Sequence, residues 1–173
     1  LPESFRPRAT PQRSAEPTVR HAANWAPAAG LNEVSGGLLT TELSHVFTQG
    51  APVAIPDNNP LGVSSAIEVP DIGIVRALNV HMELENSDIS ELTVWLHDPA
   101  GETYLLYEKG GEGEALAASF PTLNLPLSGD LLAWEGLNAQ GTWTLEVRDD
   151  GFLNNLTDGQ ISAWSIELVI LSN

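Results

Sequence analysis

The sequence predicts an all-β sandwich of about eight short antiparallel strands behind an extended N-terminal arm. Three observations carry this expectation. Beyond Leu43 apolar and polar residues alternate in runs of four to eight, and clusters of Gly, Pro, Asn and Asp separate the runs. Over residues 1–30 neither the strand period nor the helix period is sustained, and prolines stand at positions 2, 7, 11, 17 and 27.

The arm, residues 1–44, is rich in Pro, Ala, Arg and Ser, a composition that suits a linker or an arm docking elsewhere. Trp25 is the large apolar residue of its later part and a candidate partner contact. The domain is expected over residues 45–173. Within it, Leu78, Val80, Met82 and Leu84 alternate with Asn79, His81 and Glu83, which places one apolar set on the core face of a strand. Leu92, Val94 and Leu96 alternate with Thr93, Trp95 and His97 in the same way, and Asp98-Pro99-Ala100-Gly101 ends that run as a turn. Thr103 to Tyr107 then returns antiparallel. Near the C-terminus Trp143, Leu145 and Val147 form one inward set, and Trp164, Ile166, Leu168 and Ile170 another. Both tryptophans stand among aliphatic residues at strand period, which points to the core rather than to a ligand platform.

Charge divides the chain at the same place. The formal net charge is −16, and of the 23 carboxylates all but Glu3, Glu16, Glu33 and Glu42 lie after residue 44, opposed there only by Arg76, Lys109 and Arg148. Such a surface repels phosphate backbones and anionic lipid, which argues against nucleic acid as a partner. No run approaches the apolar length of a membrane span. The chain starts at Leu1 without a charged-then-apolar leader, so either a signal segment has been removed or the chain is a piece of a longer one. Cysteine is absent, which excludes disulfides, thiolate metal sites and thiol nucleophiles.

Three segments, in order, carry a family resemblance: APVAIPDNNPLGVSSAIEV (Ala51 to Val69), LNVHMELENSDISELTVWLHDPAGETYLL (Leu78 to Leu106) and GTWTLEVRDDGFLNNLTDGQISAWSIEL (Gly141 to Leu168). Together they resemble the P/Homo B domain, the proprotein convertase P domain that follows the catalytic domain of kexin- and furin-like proteases, in its bacterial secreted form. The resemblance implies an eight-stranded jelly roll that stabilises an adjoining subtilisin-like, serine-type catalytic domain and tunes its calcium and pH dependence. The acidic loop Asp149 to Asp158 runs a few residues longer than in bacterial members of the family, so the family's residues are not carried into it one by one.

No set of catalytic residues is expected in the chain itself. His21 falls in the arm, and His81 and His97 stand on polar strand faces. Ser64-Ser65 follows a glycine but enters a strand, not the helix of a nucleophile elbow. His81 and His97 could share a zinc ion only if their strands were neighbours, and Glu83 and Glu85 read as surface charges. Calcium is the better cofactor expectation. It takes six to eight oxygens, and Asp149, Asp150 and Asp158, with Asn154 and Asn155 between, supply carboxylates and amides. Asp57 adds a fourth carboxylate if its Pro-bracketed turn folds beside that loop. The competing reading is a solvated acidic loop.

Three functions follow. The first is a non-catalytic, secreted accessory domain that docks on a protease catalytic domain or another protein subunit, with Trp95 as a second candidate contact. The second is a carbohydrate-binding module using a strip of Trp95, Tyr107 and Trp134. The third is a structural subunit of an extracellular assembly, self-associating through its N-terminal arm.

Overall fold

The computed structural model of the protein describes residues 41–152 and 157–172. Among them the alternating runs become nine strands: β1 (Thr41–Gln49), β2 (Val53–Pro56), β3 (Val63–Val69), β4 (Val75–Asn86), β5 (Leu92–His97), β6 (Thr103–Glu108), β7 (Ala115–Phe120), β8 (Gly141–Asp149) and β9 (Thr157–Ser172). Two short 3₁₀ turns, Ile89–Glu91 and Leu131–Trp134, are each capped by an aspartate, Asp88 and Asp130, whose side chain accepts an early backbone N–H.

Pairing is nested. β2 pairs with β9, β3 with β8, β4 with β7 and β5 with β6, all antiparallel, as if one long hairpin had been rolled up. Rolling then sets β4 against β9 and β5 against β8, giving one sheet in the order β1-β9-β4-β7 with β2 also on β9, and a second in the order β3-β8-β5-β6. This is the jelly roll that the family resemblance implies. The extra strand, β1, runs along the C-terminal half of β9 while β2 takes the N-terminal half. It draws Thr41–Ser44 into the sheet although the sequence pattern places them in the arm. Backbone pairing with Val169–Ser172, not side-chain alternation, recruits these four residues.

The predicted inward sets meet between the sheets. Trp143, Leu145 and Val147 of β8 and Trp164, Ile166 and Leu168 of β9 are buried with Leu92, Val94 and Leu96 of β5 and Val80, Met82 and Leu84 of β4. Each fully buried aliphatic side chain contributes roughly 1.5–3 kcal/mol of transfer free energy. Two register shifts in the β4–β9 ladder, at Val75/Ala77 and Glu83/Leu84, insert an extra residue and let Val75 and Ile161 reach the core out of strict alternation.

The turn after β5 is anchored by a buried carboxylate. Asp98 Oδ1 accepts the backbone N–H groups of Ala100 and Glu102, both at 2.9 Å, and Oδ2 accepts the Tyr104 hydroxyl at 2.9 Å. That hydroxyl in turn accepts Trp134 Nε1–H at 3.0 Å, and the Trp134 and Trp143 rings sit 4.8 Å apart. Burial is the main cause that pushes the Tyr104 hydroxyl up to about 12. Asp98→Ala strands a buried phenol and two amides, so urea unfolding is expected to show a loss of about 2–3 kcal/mol. Asp98→Asn, which keeps an acceptor, is expected to lose less.

Candidate functional site

One end of the sandwich gathers carboxylates from three separate stretches of chain. Asp57 follows β2, Asp149 ends β8 and Asp158 is the second residue of β9, and one oxygen from each lies within 4.8 Å of the others. The Asp57 turn is built as its sequence suggests. Asn59 accepts the Leu61 N–H at 2.9 Å through its side chain and the Gly62 N–H at 2.9 Å through its carbonyl. Gly62 adopts φ +60 so closely against the Val147 carbonyl that any Cβ would overlap it. The turn therefore holds Asp57, itself buried, over the end of β8.

Asp149 has no exposed surface; its Oδ1 accepts the Gly151 N–H at 2.8 Å and its Oδ2 the Asn86 amide at 3.3 Å. Asp158 Oδ2 accepts the Ser87 hydroxyl at 2.5 Å, while its Oδ1 is buried without a hydrogen-bond partner. Burial first, and then the facing Asp158 carboxylate, raise the Asp149 carboxyl to about 6, against the opposing pull of the Gly151 and Asn86 donors. Glu91 lies against Gly151, where a Cβ would overlap its carboxylate. Its carboxyl is raised by burial and by repulsion from Asp88, Asp158 and Asp57.

This donor set fits a hard cation. It offers carboxylate oxygens without imidazole or thiolate, it concentrates negative charge away from water, and it leaves a buried carboxylate oxygen unpaired. The structure thus brings together Asp57, Asp149 and Asp158 but not Asp150, which points outward and pairs with Lys109 Nζ at 2.9 Å. Strand alternation is the reason: Asp149 continues the inward set of Trp143, Leu145 and Val147, and Asp150 leaves the strand. Asn154 and Asn155 lie outside the described residues, as does Trp25. Sequence reasoning missed Asn86 and Glu91. The signal for Asn86 was present, because it occupies the next inward position after Leu78, Val80, Met82 and Leu84.

Neither the histidine pair nor the aromatic strip forms. His81 is on β4 and His97 on β5, strands of different sheets, so they share no ion. His81 meets Ser119 Oγ at 2.8 Å, and His97 bridges Thr103 Oγ1 and Glu146 Oε2, each at 3.0 Å. Trp134 is 6% exposed and cannot join a sugar-binding strip. Trp95 is half-buried beneath the Arg148 guanidinium, 4.9 Å from its ring centroid, and the Tyr107 hydroxyl donates to the Ile89 carbonyl at 3.1 Å. Ser65 is buried and accepts Trp164 Nε1–H at 2.9 Å, a structural use of the pair that follows Gly62-Val63.

Residues 75–168 match the proprotein convertase P-domain, and the chain belongs to that family of non-catalytic accessory domains. Among curated proteins it is 30% identical over 128 residues to the calcium-dependent protease of Trichormus variabilis, and equally to that of a Nostoc strain. The match covers 71% of this chain but 18% of each relative, so the chain spans less than a fifth of their length. The crystal structure of Aeromonas sobria serine protease in complex with its chaperone shares the fold, with a TM-score of 0.53 and 19% identity over 83% of this chain and 29% of that one.

The raised carboxyl of Asp149 sets a pH dependence. Between about pH 4 and 6 the folded, metal-free protein holds a proton that the unfolded chain has lost, so stability falls as pH rises through this window. Thermal melts in chelator are expected to show that decline in the wild type and a flatter profile in Asp149→Asn.

Proposed function

We propose that this chain is the non-catalytic accessory domain of a secreted protein, docking on and stabilising an adjoining subtilisin-like protease domain, with calcium clasping its acidic end. The observation that carries the docking role is a run of exposed leucines in one segment of an otherwise acidic domain. Leu123 and Leu125 are 78% and 72% exposed, and Leu127, Leu132 and Leu137 are also exposed, all within the segment that joins β7 to β8. Leu132 also lines a cleft of about 310 Å³, together with Leu78, Pro121 and Leu131, and the Arg76–Glu135 ion pair rims it. Exposed leucines of this kind suit a protein partner, and a partner that binds only the folded domain raises its stability by linkage. The length of the protease relatives beyond the matched part supports a protease as that partner.

For calcium, the support is the cluster of Asp57, Asp149 and Asp158 and the name of the relatives. When bound, the ion supplies positive charge that offsets three crowded carboxylates; the residues that hold it come from both sheets, so it ties the sheets together. It carries no chemistry on a substrate.

Leu123→Asp with Leu125→Asp is expected to leave the unfolding midpoint of the isolated chain nearly unchanged, within about 0.5 kcal/mol, and to abolish co-purification with a co-expressed protease domain. Unchanged co-purification would exclude this surface. Calcium at saturating concentration is expected to raise the melting temperature by several degrees, corresponding to about 1–3 kcal/mol of linkage at 10 to 100 times Kd, and Asp158→Asn to remove most of that rise. A melting temperature indifferent to calcium and chelator would sink the clasp.

A further inference from the structure

We propose that Asn86 is a fourth, neutral ligand of the cation site, its Oδ1 completing the oxygen set that Asp57, Asp149 and Asp158 begin. The inference rests on the calcium reading above and adds to it a residue that belongs to a different strand. Asn86 is 3% exposed and stands at a core position of β4. Its amide nitrogen is fully used, donating to the Asp88 carbonyl at 3.0 Å and to Asp149 Oδ2 at 3.3 Å. These two acceptors orient the amide, since the reverse arrangement would set Oδ1 against two oxygens. Oδ1 is then buried with no hydrogen-bond partner, the same condition as Asp158 Oδ1.

Asn86 reaches the carboxylate cluster through its contact with Asp149 Oδ2. Asn86 pairs with Gly159, the residue after Asp158, and a Cβ at Gly159 would overlap Asn86 Oδ1. A buried amide oxygen without a donor costs free energy that a nearby cation removes. Calcium accepts Asn carbonyl oxygens together with carboxylates, and a neutral ligand adds coordination without a further negative charge to repel the three already present. The ligands would come from the ends of β2, β4, β8 and β9, so that three strands of one sheet and one of the other meet at the ion.

Calcium titration calorimetry and terbium luminescence on the 173-residue chain test this. Asn86→Ala is expected to weaken binding by at least about tenfold. Asn86→Asp, which keeps an oxygen in place, is expected to retain binding within a few-fold while lowering the metal-free melting temperature, so that calcium raises its melting temperature by about as much as that of the wild type. Wild-type affinity in Asn86→Ala overturns the proposal and leaves the three-aspartate site standing. Should Asn86→Ala fail to fold, loss of binding in folded Asn86→Asp overturns it instead. Absence of calcium binding in the wild type removes both readings.

Discussion

The hydrogen-bonding of β9 along both of its edges is the constraint on which the rest of the molecule depends. Its sixteen residues carry β1 and β2 on one side and β4 on the other. Its inward side chains Ile161, Trp164, Ile166 and Leu168 form one wall of the core. A strand paired on both edges and buried on one face has its register set strongly, because a slip of one residue would turn the whole apolar set outward. The site inherits this precision: Asp158 is the second residue of β9, and its distance from Asp57 and Asp149 is a consequence of the ladder.

At the acidic end the fold works against its own electrostatics. Nested pairing returns the ends of β2, β8 and β9 to one place, and each end carries an aspartate. Donors moderate the result without cancelling it: Gly151 and Asn86 serve Asp149, and Ser87 serves Asp158. The Asp149 carboxyl nevertheless stays raised, which is the response of a crowded, desolvated carboxylate that lacks a counter-charge. The Asp98 turn is the contrast. There a buried carboxylate accepts from two amides and a phenol and serves as an anchor. The difference between an anchoring aspartate and a crowded one lies in what faces it.

The leucine-rich segment between β7 and β8 extends this division of labour across the surface. Part of it secures the fold, since Leu127 and Ser128 bond to the backbone of Leu105 at the β6 edge and Leu131 and Trp134 enter the core. Pairing at that edge also protects it from unwanted strand addition. The side chains of Leu123, Leu125, Leu132 and Leu137 stay exposed, although the backbones of Leu123, Leu132 and Leu137 bond within the fold.

By itself the sequence determined β4, β5, β8 and β9, the face each presents to the core and the turn at Asp98, because alternation and turn chemistry are local properties that hold wherever the strand is placed. It also held the three ordered motifs that resemble the P domain, and the aspartates from which a cation site could be built. Which aspartates meet was a tertiary decision. Asp149 and Asp150 are adjacent in sequence, yet the pleat sends one inward to Asp57 and Asp158 and the other outward to Lys109. Trp134, equally available to a surface strip by composition, was drawn into the core by a 3₁₀ turn whose position only the rolled sheets define. Asn86 was visible as a polar residue on an apolar face, but its unpaired oxygen beside Gly159 exists only once β4 and β9 are in register, since contacts between residues far apart in the chain are set by pairing and not by local pattern.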